Sequence, residues 1–167
     1  EMGRALNSQY GHEVINLMPT NLYGPNDYFA EENSHVIPGM IYRMHKDKKN
    51  KEDVFSIWGT GDPLREFLFV DDLSEGIEFL IDKKWDFDLL NIGSGEEISI
   101  KDLALKLKKI ISFEGELDYD NTKPDGNPRK LIDSKLINEM GWKSKTNIET
   151  GLKETYAWFV KNYDKLR

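Results

Sequence analysis

The sequence predicts an α/β fold. Short apolar runs of strand length alternate with longer stretches of helical spacing, and the turns between them carry glycine and proline. Three places show it most clearly. Val14 to Met18 is an apolar run stopped by Pro19, which has no backbone donor, and a polar turn from Thr20 to Pro25 follows. Leu73, Ile77, Leu80 and Ile81 make a core-facing helical stripe just ahead of the short run Leu89 to Ile92. Leu103, Leu107, Ile110 and Ile111 repeat that stripe after the Gly93-Ser94-Gly95 break.

Taken in order, Glu1 to Tyr10 reads as a helix that starts without a cap, and residues 12–18 as a strand. Thr20 to Pro25 reads as a tight turn, with Gly24 free to take positive φ and Pro25 fixing the exit. A loop carries Asn33, Ser34 and His35 to a helix over 36–46, in which Ile37, Met40, Ile41 and Met44 share a face. Lys46 to Asp53 is a mixed-charge run expected to be a solvated loop. Val54 to Trp58 and Arg65 to Val70 are strands, expected to lie close in one small sheet, with the turn Gly59 to Pro63 between them. Asp71 or Asp72 is placed to cap the helix that ends near residue 82. Leu89 to Ile92 is a strand, and Ser99 starts the next helix. Leu117 to Tyr119 is a weak strand, and Asn121 to Lys130 a loop with two prolines. Ser134 to Met140 is a short helix ended by Gly141, and Asn147 caps a last helix whose inner face is Ile148, Leu152, Thr155 and Phe159.

Composition narrows the function. The chain has 167 residues, 38% of them hydrophobic and 32% charged, which suits a folded domain with a core. A net charge of −7 argues against broad nucleic-acid binding, although a few local arginines could hold one phosphorylated ligand. Absence of cysteine excludes disulfides and thiolate chemistry within the chain, and three scattered histidines make a metal site unexpected. No apolar run approaches the length of a membrane span, so no membrane association is expected.

A few side chains stand out chemically. An imidazole exchanges protons near neutral pH, which makes His35 a candidate acid; a helix-start histidine bonded to backbone is the alternative. His12 and His45 read as surface residues. The turn at Asn21 and Leu22 offers amide and backbone hydrogen bonds to a planar carboxamide, although Asn21 could equally be a turn-stabilising residue. Arg43 among apolar helix residues and Arg65 at the head of an apolar strand are odd places for solvating charges. A guanidinium fork grips phosphate, and pairing with a carboxylate inside the fold is the alternative. Trp58 could lay its face on a sugar or base, or simply pack, as Trp85, Trp142 and Trp158 are expected to do. Lys130 lies near the same path. Gly59-x-Gly61 and Gly93-x-Gly95 lack the third glycine of a dinucleotide fingerprint and read as plain turns.

Pro19-Thr20-Asn21-Leu22-Tyr23-Gly24-Pro25 and Glu32-Asn33-Ser34-His35-Val36-Ile37-Pro38 resemble the nucleotide-sugar branch of the extended short-chain dehydrogenases. Within that branch the resemblance is to the GDP-L-fucose synthase family. It continues through Trp58-Gly59-Thr60-Gly61, Arg65-Glu66-Phe67-Leu68, Val70-Asp71-Asp72, Asn91 to Gly95 and Lys123 to Lys130. The resemblance implies the carboxyl-terminal part of an NAD(P)-binding Rossmann-type extended short-chain dehydrogenase, with a mixed α/β substrate-binding lobe. Residues 1–25 would be a remnant of the nucleotide-binding sheet and 26–70 the first part of the substrate lobe. Residues 71–95 would return to the sheet, and 96–167 would complete the lobe.

The implied activity is NADPH-dependent conversion of GDP-4-keto-6-deoxy-D-mannose to GDP-L-fucose by 3,5-epimerisation and 4-keto reduction. His35 would be the general acid and touch the cofactor, NADP(H). Pro19, Thr20, Asn21 and Leu22 would hold that cofactor, and Arg43, Trp58, Arg65 and Asp125 the GDP-sugar. The Tyr-x-x-x-Lys pair, the glycine-rich loop and the cysteine base of the family would lie in a missing amino-terminal half, so the chain alone is expected to be inactive. Intact, the enzyme would be a cytoplasmic homodimer. Another GDP- or UDP-sugar epimerase or dehydratase, or a non-catalytic nucleotide-sugar binding module, are the alternatives.

Overall fold

The computed structural model describes residues 1–166. The first elements are α1 (Met2–Tyr10), β1 (Asn16–Pro19), β2 (Asn21–Tyr23), α2 (Val36–Asn50), β3 (Val54–Trp58), β4 (Leu64–Phe69) and α3 (Val70–Ile81). They continue with β5 (Leu89–Ile92), β6 (Glu97–Ser99), α4 (Ile100–Ile111), β7 (Glu116–Asp120), β8 (Arg129–Lys130), α5 (Lys135–Glu139) and α6 (Ile148–Asn162), and a 3₁₀ turn at Tyr163–Lys165 closes the described chain.

Pro19 is the last residue of β1, which pairs in parallel with β5 from Asn16↔Leu89 to Pro19↔Ile92. The expected turn at Thr20 to Pro25 is shorter than predicted. After one residue, Thr20, the chain enters β2, which pairs in parallel with the far end of β4. Three residues are too few to show an alternating pattern, so this strand left no signal. The true turn begins at Gly24, whose φ is 152°.

The strands β3 and β4 do not pair with each other, contrary to expectation. β3 pairs in parallel with β7, while β4 takes β2, β8 and antiparallel β6 as neighbours. The turn Gly59 to Pro63 therefore connects two sheets. Helix α2 also runs past the predicted end, through Asp47, Lys48 and Lys49 to Asn50, and stops where Lys51 turns left-handed at φ 60°. A charged last turn costs little helix propensity, and its lysines complement the negative end of the helix dipole. Phe69, not an aspartate, is the N-cap residue of α3. The buried Asp72 carboxylate instead accepts from the Lys145 and Thr146 amides at 3.1 and 3.0 Å and from Thr146 Oγ1 at 2.8 Å, tying α3 to the segment before α6. The other two predicted caps form. Ser99 Oγ accepts from Asp102 N, and Asn147 Oδ1 from Thr150 N, each at 2.9 Å.

Two apolar clusters hold the elements. The larger packs α2, α4 and α6 around β3 and β4 through Ile37, Ile41, Met44, Phe55, Ile57, Leu103, Leu107, Leu152 and Phe159. The smaller joins Leu68, Leu80, Leu90 and Ile92 to Ile137 and Trp142. Trp85 packs against this second cluster, and Trp158 stacks on Phe29 at 5.8 Å between centroids. His12 is exposed as expected. His45 is not a surface residue: it is half-buried against Phe159 and Tyr163, with Nδ1 3.0 Å from Tyr156 Oη.

Candidate functional site

A cleft of about 950 Å³ opens where β2, the start of α2 and the head of β4 meet. Its walls include Thr20, Asn21, Leu22, His35, Arg65 and Lys130. The floor is set by β4. The Glu66 carbonyl accepts from Asn21 Nδ2 at 2.8 Å and from Thr20 Oγ1 at 3.3 Å. Asn21 is thus not a local turn-stabiliser; its amide spans from one strand to the next, and Oδ1 accepts no hydrogen bond among the described residues. Pro19, one residue earlier, is exposed at the end of β1 and outside the cleft lining.

His35 enters from the opposite side. It is the exposed N-cap residue of α2, with φ −63° and ψ 165°, and its carbonyl accepts from Gly39 N at 2.9 Å. Its ring makes no capping bond to the helix. The bland alternative for this histidine is therefore not realised, and the imidazole lines the cleft with no hydrogen bond among the described residues. Ser34 fixes the approach: its hydroxyl accepts from Ala30 N at 2.8 Å and donates to Ala30 O at 3.0 Å. Asn33 supplies the left-handed residue that turns the chain into the helix, at φ 62°.

Arg43, Trp58 and Asp125 do not line this cleft. They form a neighbouring face. The Arg43 guanidinium lies 5.0 Å from the Phe55 ring centroid and 5.4 Å from that of Trp58, and Nη1 donates to Ser56 O at 3.1 Å. Burial pulls its pKa down, with Asp47 and Glu31 opposing, yet a guanidinium stays charged in this setting. Trp58 itself is 59% exposed, so core packing does not explain it. Asp125 accepts from Thr60 N at 2.9 Å and from Thr60 Oγ1 at 2.7 Å. Arg65 Nη1 donates to Leu64 O and to Asn127 O, both at 2.7 Å. The loop carrying Asp125 and Asn127 thus bridges the two faces. Neither Arg43 nor Arg65 forms an ion pair among the described residues, so the carboxylate-pairing alternative fails for both.

One residue of the site went unread in the sequence. Glu66 is completely buried and organises the floor. Its signal was present, as a carboxylate inside the apolar run Leu64–Phe69. Lys130 lines the cleft because β8 pairs with β4, a two-residue strand hidden in an apparent loop. Gly93 and Gly95 serve Glu66: Gly95 N donates to its Oε1 at 2.8 Å, and a Cβ on Gly93 would overlap that same oxygen. The pair of glycines is a packing turn.

Comparison with known proteins decides the family. The family model described as NAD dependent epimerase/dehydratase family matches residues 1–93, more than half of the chain. The chain belongs to the NAD dependent epimerase/dehydratase family. Among curated relatives, it is 50% identical over 162 residues to a probable GDP-L-fucose synthase 1 of Oryza sativa subsp. japonica, covering 97% of this chain and 49% of that protein. It is 49% identical over 159 residues to GDP-L-fucose synthase 1 of Arabidopsis thaliana, covering 95% of this chain and 49% of the relative. The chain spans about half the length of the curated relatives it matches. Among solved structures, a GDP-L-fucose synthetase from Naegleria fowleri, bound to NADP, superposes with a TM-score of 0.90 at 29% identity, covering 98% of this chain and 53% of that one. The α/β architecture is that of the corresponding part of these Rossmann-type epimerases and reductases. Among the described residues, no helix is long and apolar enough to cross a membrane, and no group of three or more histidine, cysteine, aspartate or glutamate residues could hold a metal ion.

Proposed function

We propose that this chain is the substrate-gripping part of an NADPH-dependent enzyme that converts GDP-4-keto-6-deoxy-D-mannose to GDP-L-fucose. One observation carries the reading: His35, the Thr20–Leu22 segment and Arg65 face one cleft although 13 to 45 residues of sequence separate them. The names of its relatives favour the same chemistry. Thr20, Asn21 and Leu22 hold the nicotinamide end of the cofactor, while Pro19, outside the cleft lining, ends the strand that leads into them. When bound, NADPH supplies the hydride that reduces the C4 ketone.

His35 acts on the sugar. Epimerisation at C3 and C5, the carbons that flank the C4 ketone, removes a proton from one face, leaving its electron pair in an enolate on the C4 oxygen, and returns a proton to the same carbon from the other face. The exposed imidazole donates that returning proton. The base is a cysteine from the remainder of the enzyme, since this chain has none. Arg65 grips the diphosphate with its fork, while Arg43, Trp58 and Asp125 hold the rest of the GDP-sugar. The division into residues 1–25 and 71–95 on the nucleotide-binding side and 26–70 and 96–167 in the substrate lobe belongs to this reading. So do a homodimer in the cytoplasm and the inactivity of this part alone. The test is His35→Gln in the intact enzyme. Incorporation of deuterium at C3 and C5 of the sugar nucleotide, followed by NMR in D₂O, should fall about 10²- to 10⁴-fold while NADPH affinity holds. Undiminished exchange would remove His35 from the mechanism.

A further inference from the structure

Helix α2 opens with three apolar residues, Val36, Ile37 and Pro38, and they part ways. Ile37 and Pro38 are buried, and Ile37 joins the larger core together with Met40 and Ile41. Val36 stays outside that core, 39% exposed, and lines the cleft immediately after His35. A lone exposed valine is ordinary on an open surface. This one stands in a cleft, next in the chain to the proposed proton donor, where its neighbour would be the reacting sugar.

The wall around Val36 has little to offer a hydroxyl group. On the other side of His35, the Ser34 hydroxyl gives its one hydrogen to Ala30 O at 3.0 Å and accepts from Ala30 N at 2.8 Å. Pro38, the next lining residue of the same turn, has no backbone donor. A hydroxyl brought against this wall loses water without gaining a partner, whereas a methyl group gains by the same contact.

The chemistry of C5 says which group of the sugar meets Val36. This carbon carries a hydrogen and C6 on opposite faces of the ring. The base takes that hydrogen from the face away from His35, so C6 begins on the His35 face. We propose that Val36 seats C6 and selects a 6-deoxy sugar, with a methyl group there, over its 6-hydroxy counterpart. Inversion then carries C6 to the other face, so the contact belongs to the sugar before epimerisation and not after it. The proposal rests on reading the cleft as a nucleotide-sugar site with His35 as the acid.

The experiment measures equilibrium binding of two pairs of sugar nucleotides, and of GDP, to the intact enzyme with NADP⁺ present. GDP-6-deoxy-D-mannose and GDP-D-mannose differ only in the 6-hydroxyl and have the C5 configuration that precedes inversion. GDP-L-fucose and GDP-L-galactose differ by the same oxygen and have the configuration that follows it. Wild type should prefer the 6-deoxy member of the first pair about ten-fold, because an apolar wall rejects an added hydroxyl only modestly. Val36→Thr, of the same shape but with a hydroxyl, should bring that preference within about two-fold and leave the second pair as in wild type. Val36→Ala should weaken GDP-6-deoxy-D-mannose about three- to ten-fold through lost apolar contact, while GDP affinity stays within about two-fold. A first-pair preference that is absent in wild type, or that survives Val36→Thr, would put C6 elsewhere; if all five ligands bind, the nucleotide-sugar reading stands without the proposal. A Val36→Thr shift of equal size in both pairs would overturn the assignment of C6 to the His35 face. If Val36→Ala weakens GDP as much as the sugar nucleotide, loosening of the cleft explains the loss and the proposal fails. If wild type binds none of the five, the reading itself falls and the proposal with it. Val36 lies outside the core, so both variants test the contact in a folded protein.

Discussion

Asp125 closes both of its carboxylate oxygens on Thr60, one on the amide and one on the hydroxyl. Gly59 makes room, because a Cβ there would overlap Asp125 Oδ1, and its φ of 78° favours glycine. This clamp joins the proline-containing loop to the turn between β3 and β4. Asp125→Ala should therefore release the loop at a local cost of about 1–2 kcal/mol. Hydrogen exchange of the Thr60 amide should quicken about ten-fold or more, while amides of α4 keep their protection. Unchanged exchange at Thr60 would mean that the clamp does not form in solution.

Trp58 lies over Arg43 with one face left to solvent. An exposed indole backed by a guanidinium is a ready platform for a flat base, and stacking on such a ring contributes about 1–3 kcal/mol. Guanosine should quench its fluorescence, and Trp58→Ala should weaken guanosine binding about ten-fold or more. Trp58→Phe should retain part of the affinity. A titration in which Trp58→Ala matches wild type would place the base elsewhere.

The helices of the larger core were legible because each buries a stripe, as Leu103, Leu107 and Ile111 do, and because Ser99 and Asn147 announce their starts; the stripe read in α3 does not hold, since Leu80 is buried but Ile77 and Ile81 are exposed. Candidate site residues in chemically odd positions were legible too: Arg43 inside an apolar helix face and His35 before one. What escaped was pairing between short strands. β2 and β8 have three and two residues, so no period exists to read, and their place depends wholly on β4. Lys130 was hard to assign for that reason. Glu66 was missed for a different one: a carboxylate in a strand looks like a solvated edge until the loops that cover it are known. The relation of β3 to β4 misled because adjacency in sequence suggests a hairpin, while the turn between them leads to another sheet.

His45 gives a pH signature to the larger core. Burial lowers its pKa first, and Lys49 and Lys48 add to the effect. The unfolded chain, with an ordinary histidine, then binds more protons than the folded one as acid is added, so stability falls with falling pH. The loss begins near the ordinary histidine value, about 6.5, and continues down through the lowered folded value. Above that window this residue contributes no slope. His45→Phe should remove the corresponding part of the melting-temperature change between neutral and mildly acidic buffer. If the variant keeps the wild-type slope, other groups carry it.

Gly151 in α6 tests how tightly the cleft floor is bound to the core. In an exposed helix, glycine to alanine would stabilise by about 1 kcal/mol. Here the added Cβ would overlap Tyr23 Oη and lie 2.9 Å from its Cζ. Tyr23 cannot step aside: it is buried, its ring meets Phe67 and Phe69 edge-on at 6.2 and 5.5 Å, and burial drives its phenol pKa upward. Overpacking of this kind costs about 1–3 kcal/mol, which outweighs the propensity gain. Gly151→Ala should therefore lower the denaturant midpoint, with a net loss of about 1 kcal/mol or more. Adding Tyr23→Phe removes the overlapping oxygen and should recover part of that loss. A Gly151→Ala protein more stable than wild type would show that β2 can shift away from α6, and the fixed placement of Asn21 beside Glu66 would go with it.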